Sequence, residues 1–179
     1  MRPPDNEISP QGLAQLAVET FIRDGTIIEP PDNPQGIFIT RAGAFVTLRK
    51  SDGQLRGCIG TIQPECSNLA GEIVKNAISA ATRDPRFPRV SISELSDLNY
   101  SVDVLSRPES ARGPQDLDPK VYGVIIETTD GLRRGLLLPG IAGLETVEEQ
   151  WIAVHSKAGI KAGTPIRVER FTVTRFGKE

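Results

Sequence analysis

The sequence has few of the residues that bind metals or carry redox chemistry. Its 179 residues include one histidine, two cysteines and no Cys-x-x-Cys pair, which is a poor ligand set for zinc. The two cysteines, Cys58 and Cys66, do not make a disulfide framework. We therefore expect no metal site and no cofactor, and a reduced, cytoplasmic setting best fits two free thiols.

The sequence also lacks a basic excess, an abundance of aromatic residues and a long apolar run. Its formal net charge is −2 and 5% of its residues are aromatic, which argues against a surface for nucleic-acid phosphates or stacked bases. No apolar stretch is long enough to span a bilayer, and the first residues lead into no apolar signal-peptide core. We expect neither a nucleic-acid nor a membrane partner.

Length and composition are those of one ordinary globular domain over residues 1–179, with room for a small subdomain. Hydrophobic spacing and turn residues divide the chain into helices and strands. The predicted elements are a helix from Ser9 and Pro10 to Gly25, strands at 37–40, 44–50 and 55–62, a helix from Ser67 to Asp84, a short helix or turn at 92–97, a strand at 98–106, a loop at 107–119, strands at 121–128 and 132–138, a helix from Thr146 to Gly159, and a last strand through Val173 with a bulge near Glu169.

The order of these elements predicts the fold class. Two hairpins, with Asp52-Gly53 and Asp130-Gly131 in their turns, account for four of the strands. Adjacent hairpin strands run antiparallel, so we expect an α+β fold. In this fold a largely antiparallel sheet, built from hairpins, packs with about three helices.

The most informative segment is Leu55-Arg56-Gly57-Cys58-Ile59-Gly60, which lies in the returning strand of the first hairpin. Side chains alternate along a strand, so in a regular strand Arg56 and Cys58 point to the same face. A guanidinium beside a thiol favours the thiolate and lowers its pKa. The two glycines allow close approach of backbone or ligand. Cys58 and Arg56 are therefore the candidate catalytic residues.

A wider ligand-binding site can be assembled around these two residues. It comprises Arg56, Gly57, Cys58 and Gly60, together with Asp84 and Arg86 from the polar loop after the second helix. Each has a plainer interpretation. Cys58 can be a half-buried strand residue, because free cysteine behaves as a small hydrophobe. Arg56 can form a structural ion pair with Asp84 or Asp103.

The same loop and the remaining reactive residues allow similar alternatives. Asp84 can end the helix by accepting local N–H groups, with Phe87 anchoring the loop. Asp103 alternates with apolar neighbours and is expected to face solvent. His155 is expected on the surface of the third helix, where it serves no Cys–His pair. Cys66 has no evident role unless its loop returns it to Cys58 as a resolving thiol.

The chain resembles the AMMECR-type domain family. The resemblance rests on the hexapeptide at 55–60 and on segments that follow in the family's order across residues 10–176. These segments are Phe45–Leu48, Asn76-Ala77, Asp84–Phe87, Val102–Ser106, Leu136–Pro139 and Lys157–Ile160. Two positions depart from it: Tyr122 stands where many members have histidine, and Ser156 where some have cysteine. The resemblance implies genomic association with a Memo-type protein and a radical S-adenosylmethionine protein.

Two functions remain open. The first is an accessory module that binds a small molecule or peptide in a pocket around the hexapeptide and presents it to a modification system. The second is a thiolate-dependent enzyme in which Cys58 is the nucleophile or covalent acceptor and Arg56 orients an anionic group. The sequence offers no evident general base, metal set or cofactor loop, so we favour the accessory module.

Overall fold

The computed structural model describes residues 8–31 and 34–177. In that part of the chain, eight strands form two antiparallel four-stranded sheets, joined by three α-helices and three short 3-10 helices. The α-helices are α1 (Pro10–Asp24), α2 (Leu69–Thr82) and α3 (Val147–Ala158). The strands are β1 (Ala44–Lys50), β2 (Leu55–Gly60), β3 (Leu98–Leu105), β4 (Glu109–Ala111), β5 (Gly123–Thr128), β6 (Arg134–Leu137), β7 (Ile166–Phe171) and β8 (Val173–Phe176). The predicted α+β class and antiparallel pairing are confirmed.

The chain divides into two compact units. The first comprises residues 1–105 and 174–179, and the second residues 106–173. In the first unit the strand order is β2-β1-β3-β8, with α1 and α2 packed against the sheet. Val46, Leu48 and Val102 are fully buried in the core that the sheet shares with both helices. One face of this sheet is therefore a helix-covered hydrophobic face.

The second unit has the strand order β4-β7-β5-β6, with α3 packed against β5 and β6. Its apolar core joins strand residues Val124, Ile126 and Val168 to Val154 of the helix. In the described part of the chain, no helix is both long and apolar enough to cross a membrane.

Capping residues set the ends of α1 and α3 as the sequence predicted. Ser9 accepts the N–H of Gly12 at 3.3 Å, and Gly25 ends α1 in the left-handed region with φ of 71°. Thr146 and Glu149 form a reciprocal capping box, with N–H to side-chain distances of 3.2 and 2.9 Å. These side chains satisfy N–H groups that a helix start leaves unpaired.

Two predictions near the start of the chain are corrected. Residues 37–40 are not a strand, because Gly36–Ile39 forms a 3-10 helix that opens at φ of 57° and closes with a bond from Thr40 N–H to Ile37 C=O at 3.1 Å. The cap of α2 is Asn68 rather than Ser67, since the Asn68 side chain accepts the N–H of Gly71 at 3.0 Å.

The end of the chain also differs from the prediction. The single strand expected to end near Val173 is two strands, β7 in the second sheet and β8 in the first. Pairing of β7 with β5 runs without a shift from Ile166 to Phe171, so no bulge lies at Glu169. The chain leaves one sheet at Thr172 and enters the other. The predicted loop at 107–119 contains β4 and a 3-10 turn.

Helix α2 approaches β2 so closely at Gly57 that a Cβ there would overlap the Ala80 carbonyl. Backbone cannot move aside as a flexible side chain can, so Gly57→Ala should lower the free energy of unfolding by about 1–3 kcal/mol. Urea denaturation measures this loss.

Gly12→Ala is the control for that substitution. A Cβ at Gly12 meets only side-chain atoms of Ile8 and Ser9 at 3.2 Å, in a helix where alanine is the better residue. Equal stability of the two variants would contradict the close approach at Gly57.

Candidate ligand-binding site around Cys58

Cys58 lies on β2, which forms one edge of the first sheet. Directly paired residues of neighbouring strands share a face, and the register places Cys58 opposite Thr47 and Thr47 opposite Ser101. The next pair on this face joins Gly60 to Phe45, which in turn pairs with Asp103. We call this set the thiol face: Phe45, Thr47, Cys58, Gly60, Ser101 and Asp103. It is the face turned away from α1 and α2, because strand side chains alternate with the buried core residues.

The Cys58 thiol is partly buried and has a defined neighbour. The Thr47 hydroxyl donates to Cys58 Sγ at 3.2 Å. Phe45 and Thr47 are also partly exposed. The Phe45 ring occupies the space in which a Cβ of Gly60 would stand, so this glycine seats the ring. The thiol face therefore combines a sulfur atom, a hydroxyl group and an aromatic ring.

The buried Asp103 carboxylate of the thiol face forms an ion pair with a more exposed arginine. Arg175, on β8, binds Asp103 through Nε–Oδ1 at 2.6 Å and Nη2–Oδ2 at 2.8 Å. The expectation that Asp103 faces solvent is wrong, because the residue is 3% exposed and holds this guanidinium. The hydrogen-bonded Asp103 carboxylate raises the pKa of Arg175, and Cys58 contributes in the same direction. Arg175 is thus an electrostatic neighbour of the thiol.

Asp84 joins the loop after α2 to the edge strand. Its carboxylate accepts the Cys58 N–H at 2.9 Å and binds the Arg86 side chain at 2.7 and 3.0 Å. Arg86 Nη2 also lies 3.5 Å from the Cys58 carbonyl oxygen. Hydrogen bonds from Arg86 hold the pKa of the buried Asp84 carboxyl far below its usual range. The structure thus brings together Cys58, Asp84 and Arg86, three of the predicted site residues.

Arg56 has a different environment from the one a regular strand would give it. Leu48 pairs with Gly57 and Arg49 with Leu55, so Arg56 is the extra residue of a bulge. Its partner is neither Asp84 nor Asp103. The guanidinium binds Glu94 through Nε–Oε1 at 2.6 Å and Nη2–Oε2 at 3.2 Å.

The Arg56–Glu94 pair connects the hexapeptide to the short helix at Ile92–Asp97. Glu94 also accepts the N–H and the hydroxyl of Ser91 at 2.8 and 2.9 Å. Arg56 is 5% exposed, and its guanidinium lies 5.9 Å from the Phe87 ring centroid, with that of Arg86 at 5.5 Å. Arg56 therefore helps to fix the Asp84–Phe87 loop against β2.

Several site residues were missed in the sequence, and Glu94, Thr47 and Arg175 among them left unequal signals. Glu94 stands three residues after Ser91, the spacing of a capping box, which could have marked it as a structural acid. Thr47 lies in the strand segment 45–48 that carries part of the family resemblance. Arg175 left no signal, because its strand could not be assigned to the first sheet without the structure.

The other reactive side chains have separate surroundings. His155 lies on α3 of the second unit, with Nδ1 3.0 Å from the Trp151 carbonyl oxygen. The Cys66 N–H donates to Glu72 at 2.8 Å, and burial, reinforced by the Glu72 charge, raises the pKa of the Cys66 thiol. Across residues 8–31 and 34–177, no three His, Cys, Asp or Glu side chains are grouped to hold a metal ion.

The chain belongs to the AMMECR1 family, whose model matches residues 12–179. A Thermotoga maritima protein is 54% identical over 161 residues, which cover 89% of this chain and 91% of the relative. A Clostridium acetobutylicum protein is 46% identical over 165 residues, which cover 91% of this chain but 34% of that longer protein.

A solved structure has the same fold. The crystal structure of the uncharacterized protein PH0010 from Pyrococcus horikoshii superposes with a TM-score of 0.84 at 32% identity. The superposition covers 95% of this chain and 90% of that one.

The Arg56–Glu94 pair should make stability depend on acid pH. The Arg56 guanidinium lowers the pKa of Glu94 from 4.5 to about 2. A lowered folded-state pKa contributes stability above the unfolded value and loses it as the pH falls through the folded value. The free energy of unfolding of wild type should therefore exceed that of Glu94→Gln by about 1–3 kcal/mol at pH 7. This difference should shrink as the pH falls from 4.5 to about 2.

Urea unfolding at steps of pH measures this difference. Glu148→Gln, an exposed change on α3, serves as the matched control and should show little difference at any pH. A difference at Glu94 that stays constant down to pH 2 would contradict the ion pair.

The Asp84 carboxylate should protect the backbone at the sheet edge. Asp84→Asn removes the charge that holds Arg86 and weakens acceptance of the Cys58 N–H, at a cost of about 1.5–3 kcal/mol. Amide hydrogen exchange at Cys58 should accelerate more than at Gly57 and Ile59, whose amides face β1. Uniform acceleration along β2 would show global destabilisation instead.

Proposed function

We propose that the thiol face binds a small molecule or an extended peptide segment and presents it to a partner enzyme. The observation that carries the proposal is the convergence of a partly exposed thiol, hydroxyl and aromatic ring on one sheet face. The opposite face is filled by helix packing. A few placed polar groups beside apolar surface are what small-ligand sites use for orientation and affinity.

Held side chains support a binding role. Asp103 and Arg175 form a forked ion pair, and Asp84 and Arg86 fix the backbone at Cys58. Side chains held in this way lose little freedom when a ligand binds, so affinity is not reduced by ordering them. The Arg86 guanidinium, which Asp84 holds and which is about half exposed, can recognise a ligand carboxylate.

The accessory role follows from what accompanies the thiol. Its hydrogen-bonding neighbour is the Thr47 hydroxyl, and the single histidine of the chain belongs to the second unit. A thiol enzyme usually pairs its nucleophile with a base. The match to a third of a longer Clostridium protein is compatible with a module that works beside another domain. Partners of the Memo type and the radical S-adenosylmethionine type, in the cytoplasm, are part of this proposal.

One observation favours the alternative, a thiolate-dependent enzyme. Two guanidinium groups, those of Arg86 and Arg175, interact electrostatically with Cys58. Cationic groups beside a nucleophile can orient an anionic substrate. The two functions differ in whether sulfur itself is needed and whether the ligand changes.

The test is a thermal-shift screen of the Cys66→Ser protein against carboxylate-bearing metabolites and short peptides. Hits are titrated by calorimetry, and the recovered ligand is weighed by mass spectrometry. We expect saturable binding of an unchanged ligand. Phe45→Ala and Thr47→Val should each weaken binding by roughly tenfold, as for loss of one well-packed contact. Cys58→Ser should stay within roughly threefold, because it preserves shape.

Two results would decide against the proposal. If wild type converts the ligand or forms an adduct and Cys58→Ser does not, the protein is a thiolate-dependent enzyme. If Phe45→Ala and Thr47→Val leave the affinities of all hits unchanged, the thiol face is not the binding site. Wild type and Cys66→Ser should bind alike, since Cys66 lies outside the thiol face.

A further inference from the structure

A second candidate site lies in the second unit, where the end of α3 meets the turn between β5 and β6. A cavity of about 220 Å³ opens there. Its lining includes Thr128, Asp130, Arg133, Gly159, Lys161 and Thr164. Gly159 belongs to the segment Lys157–Ile160, which the proposed function at the thiol face leaves unexplained.

Arg133 is held in place at this cavity through its backbone and through its guanidinium. Its backbone exchanges bonds with Thr128, through N–H to Thr128 Oγ1 at 3.0 Å and C=O to Thr128 N–H at 2.9 Å. Its Nη1 donates to the Gly159 carbonyl oxygen. Gly159 has φ of 64°, and a Cβ there would stand 3.0 Å from Arg133 Nη1. The left-handed backbone at this position favours glycine.

The lining has more free donors than acceptors. Asp130 Oδ1 is occupied, because it accepts the Thr128 hydroxyl at 2.5 Å and the Leu132 N–H at 3.0 Å. The Lys161 ammonium and the Thr164 hydroxyl make no hydrogen bond to the described residues. Two cations against one carboxylate leave the cavity with a net positive charge. This arrangement suits an anion with several acceptor oxygens.

We propose that this cavity binds the phosphoryl group of a small phosphorylated metabolite. The held guanidinium of Arg133 and the exposed ammonium of Lys161 would share its charge, and Thr164 would donate to a third oxygen. The volume fits a compact ligand rather than a nucleotide-sized one. The proposal concerns a site in the second unit and is independent of the thiol face.

The test uses inorganic phosphate as the probe, added to the whole protein at constant ionic strength with chloride as balance. Amide NMR shifts should saturate for residues 128–133 and 159–164 and remain unchanged for β2. Lys161→Gln and Thr164→Ala should each weaken binding by roughly fivefold. Lys157→Gln is the matched control. It removes the same charge from the last turn of α3, outside the lining, and should change the affinity by less than roughly twofold.

Three outcomes would overturn the proposal. Shifts that never saturate would mean non-specific attraction. Equal losses for Lys161→Gln and Lys157→Gln would mean that Lys161 only offsets the negative end of the helix. Acetate binding as tightly as phosphate would exclude a phosphoryl-specific site. Tighter binding of glycerol 3-phosphate than of inorganic phosphate would support a metabolite as the ligand.

Discussion

The site around Cys58 depends on one hydrogen bond, from the Cys58 N–H to the Asp84 carboxylate. Strand β2 is an edge strand, so the polar groups of Cys58 that point away from β1 need partners from outside the sheet. Asp84 supplies one and recruits Arg86 for the other. The same loop carries Phe87, which Arg56 contacts through its guanidinium. The buried Asp84 carboxylate thus connects the hexapeptide, the end of α2 and the loop that follows it.

The parts of the fold that could be predicted are those determined by residues close together in the sequence. Caps such as Ser9 and Thr146 set helix ends, and Asp-Gly turns set both hairpins, because each acts within a few residues. The run at 37–40 is too short for periodicity to separate a strand from a 3-10 turn. Assignment of β7 and β8 to different sheets depends on partners distant in sequence. No pattern within residues 166–176 reports those partners.

The same distinction holds for the candidate site, where contacts between residues distant in sequence could not be predicted. The resemblance and the residue types selected Cys58, Asp84 and Arg86, which lie together. The face of Arg56 was predicted from regular alternation, and the bulge at that residue breaks the alternation. Its partner Glu94 is 38 residues away in the chain. Arg175 is 72 residues from Asp103, so the pair beside the thiol could be found only in the folded structure.

Asp84 and Arg86 cover the outward N–H and C=O groups of Cys58, and this affects how the protein behaves at high concentration. An edge strand with free N–H and C=O groups can recruit a strand from another molecule and start aggregation. At Cys58 both groups already have side-chain partners, so a second copy could extend the sheet there only by displacing Arg86 and the buried Asp84 carboxylate. The two side chains that position the thiol therefore also prevent another strand from pairing with β2 at this point.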